Sequence, residues 1–527
     1  MVTNMRRLLH WSLLPIIAAT LLFGSVSLIF PFGRDQGIHA FIADSALSGK
    51  VVYRDVFNVK PPLTTVVHGL ALILFGRTMT AIRLFDLLWT IATSLVLAAF
   101  AARAFGNRWV GAVAGVLYPF QYYLFGYWHS AQTDGWLNLP LAAAFLVALS
   151  CLEFAEKRER RAWFWVGFLV ALAALFKYTV GVALPLIAVF GLIAGHGRFA
   201  DRFRAALWSV AGCVVAFAGT ALALLVSGAM PAFLESQLGL MPSYTRLGPA
   251  EGSLVTAFVA PLLANGVLRV LAFTGAVGLL GTAILMAVRR NARPGAVIAL
   301  LWCLAALVSV VAQGKFFVYH YLPLIAAAAV LAAGLVALAA PALRRLPAMV
   351  NVVLGLATAA GLTFAAGYAP QFATLASVAR GQPTLREYWD SGEHNSGSDF
   401  SLREDLALAD YLDATTRPVD RVFIWGYEPL VYFVSRRKMV SRFEYNFPLV
   451  VSWHTEQFRA ELVHDLTATP PTIFVVAHGD QTPWVMGHDK DSFETLMDFP
   501  ELRDYVAGHY LPDQRVGRFD AYRFAGD

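Results

Sequence analysis

The chain has 527 residues, 58% hydrophobic and only 14% charged, with a mean hydropathy of +0.59 and a formal net charge of +6. Ordinary soluble domains carry roughly 25% charged residues, so this composition excludes one and describes a polytopic α-helical membrane protein. The basic excess does not point to nucleic acid, because Lys and Arg cluster in short loops between apolar segments, where they act as topology signals.

The first apolar segment, 9–30, is too long for a signal peptide and lacks its small-residue cleavage site, so it reads as a retained helix. A span needs about 20 apolar residues. Eleven candidates follow that rule: 9–30, 83–102, 109–127, 136–153, 162–177, 179–195, 206–228, 264–288, 296–312, 321–340 and 348–368. The fifth and sixth are short and share one hairpin around Lys177-Tyr178. Basic clusters at Arg6-Arg7, Arg103 and Arg108, Lys157 to Arg161, Arg198 to Arg204, Arg289 to Arg293 and Arg344-Arg345 all fall on one side. The positive-inside rule makes that side the cytoplasm. The N-terminus is then inside, the C-terminus outside, and Asp35, Lys60, Asp134, Arg246, Lys315 and His320 share the outer face. Cys151, Cys213 and Cys303 all lie within apolar stretches and imply no disulfide framework.

Residues 31–82 form the first outer loop. Within 36–48, Ile38, Phe41, Ile42 and Ala46 recur at helical spacing, which predicts a helix lying in the interface. Pro61-Pro62 can start a second short helix. The stretch 63–75 is apolar but shorter than a span, and is expected along the membrane surface, with re-entry as the alternative. Beyond residue 370 the character changes. Residues 382–405 are polar and read as a linker, and 402–412 has helical periodicity. The apolar runs at 421–426 and 472–477 read as buried strands, with helical patterns at 428–434 and 455–467 between them. This alternation predicts a small α/β domain over 371–527, outside a membrane domain over 1–370. It carries no nucleotide-binding motif, and His394, His454, His464 and His478 lack metal-ligand spacing.

Two motifs flank that first outer loop. Phe32-Gly33-Arg34-Asp35-Gln36-Gly37 follows directly on the first span, and Asn58-Val59-Lys60-Pro61-Pro62-Leu63 comes about two dozen residues later. Charge beside hydrocarbon is expensive and usually functional. The pair resembles the signature of the GT-C fold glycosyltransferases that use polyprenyl-phosphate sugars, a group that includes the protein O-mannosyltransferases and the lipid A aminoarabinose transferase. The resemblance covers about the first 370 residues and is strongest over 31–140.

The resemblance implies a helix bundle with an outward cavity, a polyprenyl-phosphate-linked hexose or pentose as donor, inverting transfer, and no cofactor. It implies a location in the inner (plasma) membrane and a role in building envelope polysaccharide or lipopolysaccharide. Such transfer needs a carboxylate to take the acceptor's proton and a cation beside the leaving phosphate. Asp35 is the candidate base. In the relatives an acid pair often stands here, whereas this chain has Gln36 second. The alternative is that Asp35 simply caps a helix starting at Gln36. Lys60 is the candidate phosphate ligand, held by the stiff Pro61-Pro62; the alternative is a snorkelling lysine. Asp55 reads as a solvated loop carboxylate.

Asp134, in His129-Ser-Ala-Gln-Thr-Asp134, resembles the relatives' Thr-Asp or Ser-Asp and is a second catalytic candidate, or an N-cap of the next span. The run from Lys315 through Tyr319-His320-Tyr321-Leu322-Pro323 recurs in the superfamily, and Lys315, Tyr319 and His320 are candidate phosphate ligands, or members of an aromatic belt. Arg246 resembles the family's arginine that reaches the carrier phosphate. Lys177 reads as a structural charge. The expected partners are the lipid-linked donor, the bilayer, and an envelope glycolipid, polysaccharide or protein as acceptor. Two other classes stand beside this reading: a transporter or flippase of lipid-linked sugars, and a membrane-anchored binding or assembly protein.

Overall fold

The computed structural model describes residues 2–526 apart from 154–158, 196, 249–251, 289–292, 343–346, 392–393, 397–398 and 454–455. Every one of the eleven apolar segments is helical: Val2–Ser25, Met79–Ala104, Arg108–Leu124, Asn138–Glu153, Glu159–Ala174, Ala183–Ala194, Phe199–Val226, Gly266–Val288, Arg293–Gln313, Leu322–Ala342 and Pro347–Ala379. Among the described residues, six helices are long and apolar enough to cross a membrane, or seven if a bent pair counts as one span. Eleven spans are thus not reached on length and composition. Glu159–Ala174 has 16 residues and Ala183–Ala194 has 12. At 1.5 Å per residue the longer of these rises about 24 Å, short of the ~30 Å hydrocarbon core. Parts of the basic loops, including Lys157-Arg158, Arg289-Arg290 and Arg344-Arg345, lie outside the described residues, as does His454.

The chain leaves the first helix through a short 3-10 turn, Val26–Ile29, and then bends by 85° into the helix Arg34–Leu47. Pro31 and Gly33 explain the break, since proline cannot continue the hydrogen-bond ladder. The new helix is capped at Gly33, whose N–H donates to Gln36 Oε1 at 3.1 Å. The next helix starts on the two prolines, Pro62–Phe75, and exposes Val66, Leu70, Ile73 and Leu74 along one stripe. That i, i+4, i+7, i+8 stripe is an apolar outer face suited to lipid.

The C-terminal region is a four-stranded mixed sheet with helices around it. Val422–Trp425 pairs parallel with Ile473–Ala477, which pairs antiparallel with Phe519–Phe524, and that strand pairs with Tyr510–Val516. The helices Leu402–Thr415, Pro429–Ser435 and Glu456–Ala468 stand where helical patterns were expected. Both parallel strands are fully buried, so their sequences read as continuous apolar runs rather than alternations.

The polar stretch 382–405 is not a free linker. Thr384 and Glu387 cap a short helix, Leu385–Trp389, whose Trp389 indole donates to the Ile29 carbonyl at 2.8 Å. Asp399, further along, pairs with Arg34 at 2.8 Å. Polarity here serves docking rather than solvation. The sheet domain is seated on the helix that carries Asp35. A Cβ on Gly37 would meet Leu430 Cβ at 2.7 Å, so only glycine allows this approach.

Candidate active site

The site is built around the turn between the first helix and Arg34–Leu47. Arg83 is fully buried and gathers the neighbouring loops. Its guanidinium donates to the Ser130 carbonyl and hydroxyl at 3.1 and 3.0 Å, to the Tyr127 carbonyl at 2.8 Å, and to the Pro31 carbonyl. A buried cation is tolerated only with such full satisfaction. The Gln36 amide adds donations to Trp128 and Ser130 carbonyls at 3.0 and 2.8 Å. Gln36 therefore ties 128–130 to the helix start while its oxygen caps Gly33. Asp35 sits in the first helical turn, inside the cap rather than at it. The capping alternative for Asp35 is taken over by Gly33 and Gln36.

Lys60 is held from three sides. Tyr53 Oη donates to its carbonyl at 2.7 Å, its own N–H donates to Asn58 Oδ1 at 2.9 Å, and Ser236 Oγ donates to the Asn58 carbonyl at 2.6 Å. Ser236 lies in a π-helical turn, Glu235–Leu240; such turns frequently mark functional sites. Among the described residues the Lys60 ammonium has no hydrogen-bonding or carboxylate partner, and it faces two cavities.

One cavity, about 520 Å³, is lined by Asp35, Lys60, His129, Lys315 and Tyr319, and by Asp399, Tyr427, Tyr445, Thr482 and Trp484 from the C-terminal region. The other, about 730 Å³, is mostly apolar, with Phe217, Leu224, Phe233 and Leu238 among its walls. Its polar end carries Lys60, Lys177, Lys315, Tyr319 and His320. Lys60, Lys315 and Tyr319 line both, so they mark where the cavities meet.

Lys315 is fixed by an unusual backbone, with Gly314 at φ 67° and Phe316 at φ 50°. A bulky residue at positive φ persists only where surrounding contacts over-determine it. The ammonium donates to the Trp484 carbonyl at 3.0 Å and lies 4.6 Å from the Tyr244 ring centroid. Burial pulls its pKa down to about 8. Burial likewise lowers His129 to about 4, against the pull of Asp35, so its imidazole is neutral at pH 7. Tyr319 lines the same cavity as Asp35.

Asp134 is fully buried and lines neither cavity. It accepts from Lys177 Nζ at 3.1 Å and from Gln313 Nε2 at 3.3 Å. Burial lowers the Lys177 pKa, and Asp134 opposes that fall.

Residues 59–223 match the family described as dolichyl-phosphate-mannose-protein mannosyltransferase. No curated protein matches the chain. Among solved structures, ArnT from Cupriavidus metallidurans bound to undecaprenyl phosphate is similar, with a TM-score of 0.57 and 17% identity over 97% of this chain and 98% of that one. Its apo state matches at a TM-score of 0.61, with 17% identity and 97% of each chain covered. The chain has the GT-C glycosyltransferase fold. The archaeal oligosaccharyltransferase AglB from Archaeoglobus fulgidus, in complex with an inhibitory peptide and a dolichol-phosphate, shares it at a TM-score of 0.53 and 12% identity over 98% of this chain and 74% of that one.

Within this GT-C frame, the structure gathers Asp35, Lys60, Lys315 and Tyr319 at one place, adds His320 on the apolar side, and links Asp134 to it through Lys177. Arg246 is exposed at the end of Met241–Arg246 and lines neither cavity, although its neighbours Tyr244 and Thr245 do. Asp55 turns to Arg54 at 2.8 Å and also stays outside both.

Lys177, read from sequence as a structural charge, pairs with Asp134 and also lines the apolar cavity, and the C-terminal region adds wall residues to the other cavity that the sequence motifs do not include. An ionisable residue within an apolar hairpin was itself the signal for Lys177. For Tyr427, Thr482 and Trp484 the signal was position. They follow the carboxyl ends of the two parallel strands, where ligands bind in open α/β sheets.

Proposed function

We propose that the chain is an integral-membrane glycosyltransferase that moves a sugar from a polyprenyl-phosphate donor to an acceptor on the outer face of the membrane. The observation that carries this reading is that an acid, Asp35, lines a cavity which meets a second, more apolar one at Lys60 and Lys315. The apolar walls around Phe217 and Leu238 suit the polyprenyl tail. The ammonium groups of Lys60, Lys177 and Lys315 suit the phosphate, and a fixed cation there stabilises the charge that grows as the phosphate leaves.

The acceptor enters from the Asp35 side. Asp35 takes the acceptor proton as the acceptor oxygen bonds the anomeric carbon, and the bond from that carbon to the phosphate oxygen breaks with its electrons passing to phosphate. A single displacement of this kind inverts the anomeric centre. Asp134 holds Lys177 charged toward the phosphate. ArnT is described as bound to undecaprenyl phosphate and AglB to a dolichol-phosphate, which supports a polyprenyl-phosphate carrier here. A transporter would show paired halves with broken helices. Among the described residues one helix pair is bent, with no second pair to mirror it.

The test is turnover by purified protein with polyprenyl-phosphate sugars. Lys60→Ala should lose about 10²-fold in kcat, as for one preorganised stabilising group, with its melting temperature unchanged. Lys60→Arg should recover part of it, since a planar fork replaces a point charge. Undiminished turnover in Lys60→Ala would leave Lys60 a snorkelling lysine.

A further inference from the structure

We infer that the acceptor is a saccharide hydroxyl, bound in the 520 Å³ cavity against an aromatic wall supplied by the C-terminal domain. This rests on the glycosyltransferase reading and names the second substrate of the same site.

Three features of the cavity lead there. The first is its aromatic lining. Tyr427, Tyr445, Phe447 and Trp484 come from the C-terminal domain, and Trp128 and Phe317 from the membrane part. The rings support one another: Tyr427 and Tyr445 centroids are 5.2 Å apart, and Tyr427 and Phe447 are 6.5 Å apart with planes at 20°. Arg34 lies 4.9 Å from the Tyr427 centroid and is itself locked by Asp399 and Glu428. Rigid rings with polar edges suit a ligand with apolar C–H faces and a hydroxylated rim.

The second feature is a set of unpartnered polar atoms. Among the described residues, Thr482 Oγ1, His129 Nδ1 and His39 Nε2 are buried without a hydrogen-bond partner, and all three residues line this cavity. Buried polar groups left unpaired are costly. A neutral imidazole and a hydroxyl can each donate to or accept from a sugar hydroxyl. His129 is neutral at pH 7, as its lowered pKa requires.

The third feature is what the cavity lacks. None of its lining residues belongs to a strand, so no sheet edge is offered along which an extended peptide could pair. The wall instead sits at the carboxyl ends of the two parallel strands, a common place for small polar ligands. The volume is in the range of small-molecule sites.

In the transfer, the saccharide hydroxyl oxygen forms the bond to the donor's anomeric carbon. The carbon–phosphate-oxygen bond breaks, its electrons go to the phosphate, and the hydroxyl proton goes to Asp35.

Saturation-transfer NMR on the full chain in detergent tests this, with methyl glycosides of common hexoses and pentoses and their linear trisaccharides, and with a neutral Ser/Thr-containing hexapeptide as the rival ligand. Undecaprenyl phosphate binding is measured in parallel. The expected result is saturable binding of at least one saccharide and none of the peptide. Trp484→Leu should weaken that binding about tenfold, as for truncating an aromatic anchor, and leave undecaprenyl phosphate binding unchanged. Trp484 is 40% exposed at the cavity wall, so its loss should not unfold the chain. Tyr427→Leu gives a second, deeper probe. Peptide binding without saccharide binding, no saccharide binding across the panel, or saccharide binding that ignores both substitutions would overturn the inference. Failure of undecaprenyl phosphate to bind would instead overturn the glycosyltransferase reading.

Discussion

Lys177 Nζ lies 3.1 Å from Asp134 Oδ2, and this contact joins a fully buried carboxylate to a cation on the cavity wall. The Asp134 carboxylate thus has an ammonium as its partner.

That pairing separates two roles for Asp134. If it acts through Lys177, Asp134→Asn should raise KM for the donor far more than it lowers kcat. Burial already depresses the Lys177 pKa, with Asp134 opposing. Without the carboxylate the amine's pKa should fall further, so donor affinity lost in the variant should return as the pH is lowered. A variant with normal donor KM and a collapsed kcat would make Asp134 the base. Removing one partner of a buried pair typically costs 3–5 kcal/mol, so stability is measured alongside. Lys177→Met combined with Asp134→Leu should melt higher than either single variant.

For Asp35 the capping explanation makes no demand, because Gly33 and Gln36 already close the helix start. Asp35→Asn should therefore cost no more than the helix-dipole term, about 0.3–1 kcal/mol, and abolish transfer while undecaprenyl phosphate still binds. Asp35→Glu should keep part of the activity. Normal turnover in purified Asp35→Asn would remove it from the mechanism.

Lys315 sets an alkaline limit. Its ammonium is charged below its pKa of about 8 and neutral above it. In the free protein, kcat/KM for the donor should fall as pH rises through that value. Lys315→Arg stays charged throughout and should move the alkaline limb upward. A limb that stays in place would assign it to another group.

The outer placement of the C-terminal domain is read from loop charge. Reporter fusions at Gly381 and Arg160 should report opposite compartments. If both report the cytoplasm, the assigned active face is inverted.

The sequence by itself determined the membrane class, the eleven helical segments and the two buried strands, and it singled out Asp35 and Lys60 as candidates. These follow from local composition, period and turn chemistry: an apolar run becomes a helix, Pro61-Pro62 starts one, and Pro31 ends one. It could not decide which candidates meet. Asp134 and Lys177 are 43 residues apart and Arg34 and Glu428 are 394 apart, and only packing brings each pair within hydrogen-bonding distance. Lys315 and Arg246 look alike in sequence as cations near an interface. A strained turn points Lys315 into the cavity, while the end of a short helix leaves Arg246 outside. The polar stretch 382–405 had the composition of a linker, yet Trp389 and Asp399 dock it, because a buried partner can satisfy a polar side chain as well as water does. The aromatic wall at the site was invisible for the same reason. Its rings come from segments scattered along the chain, and only the packing of the helix Pro429–Ser435 and its domain on Gly37 brings them to the cavity that Asp35 lines.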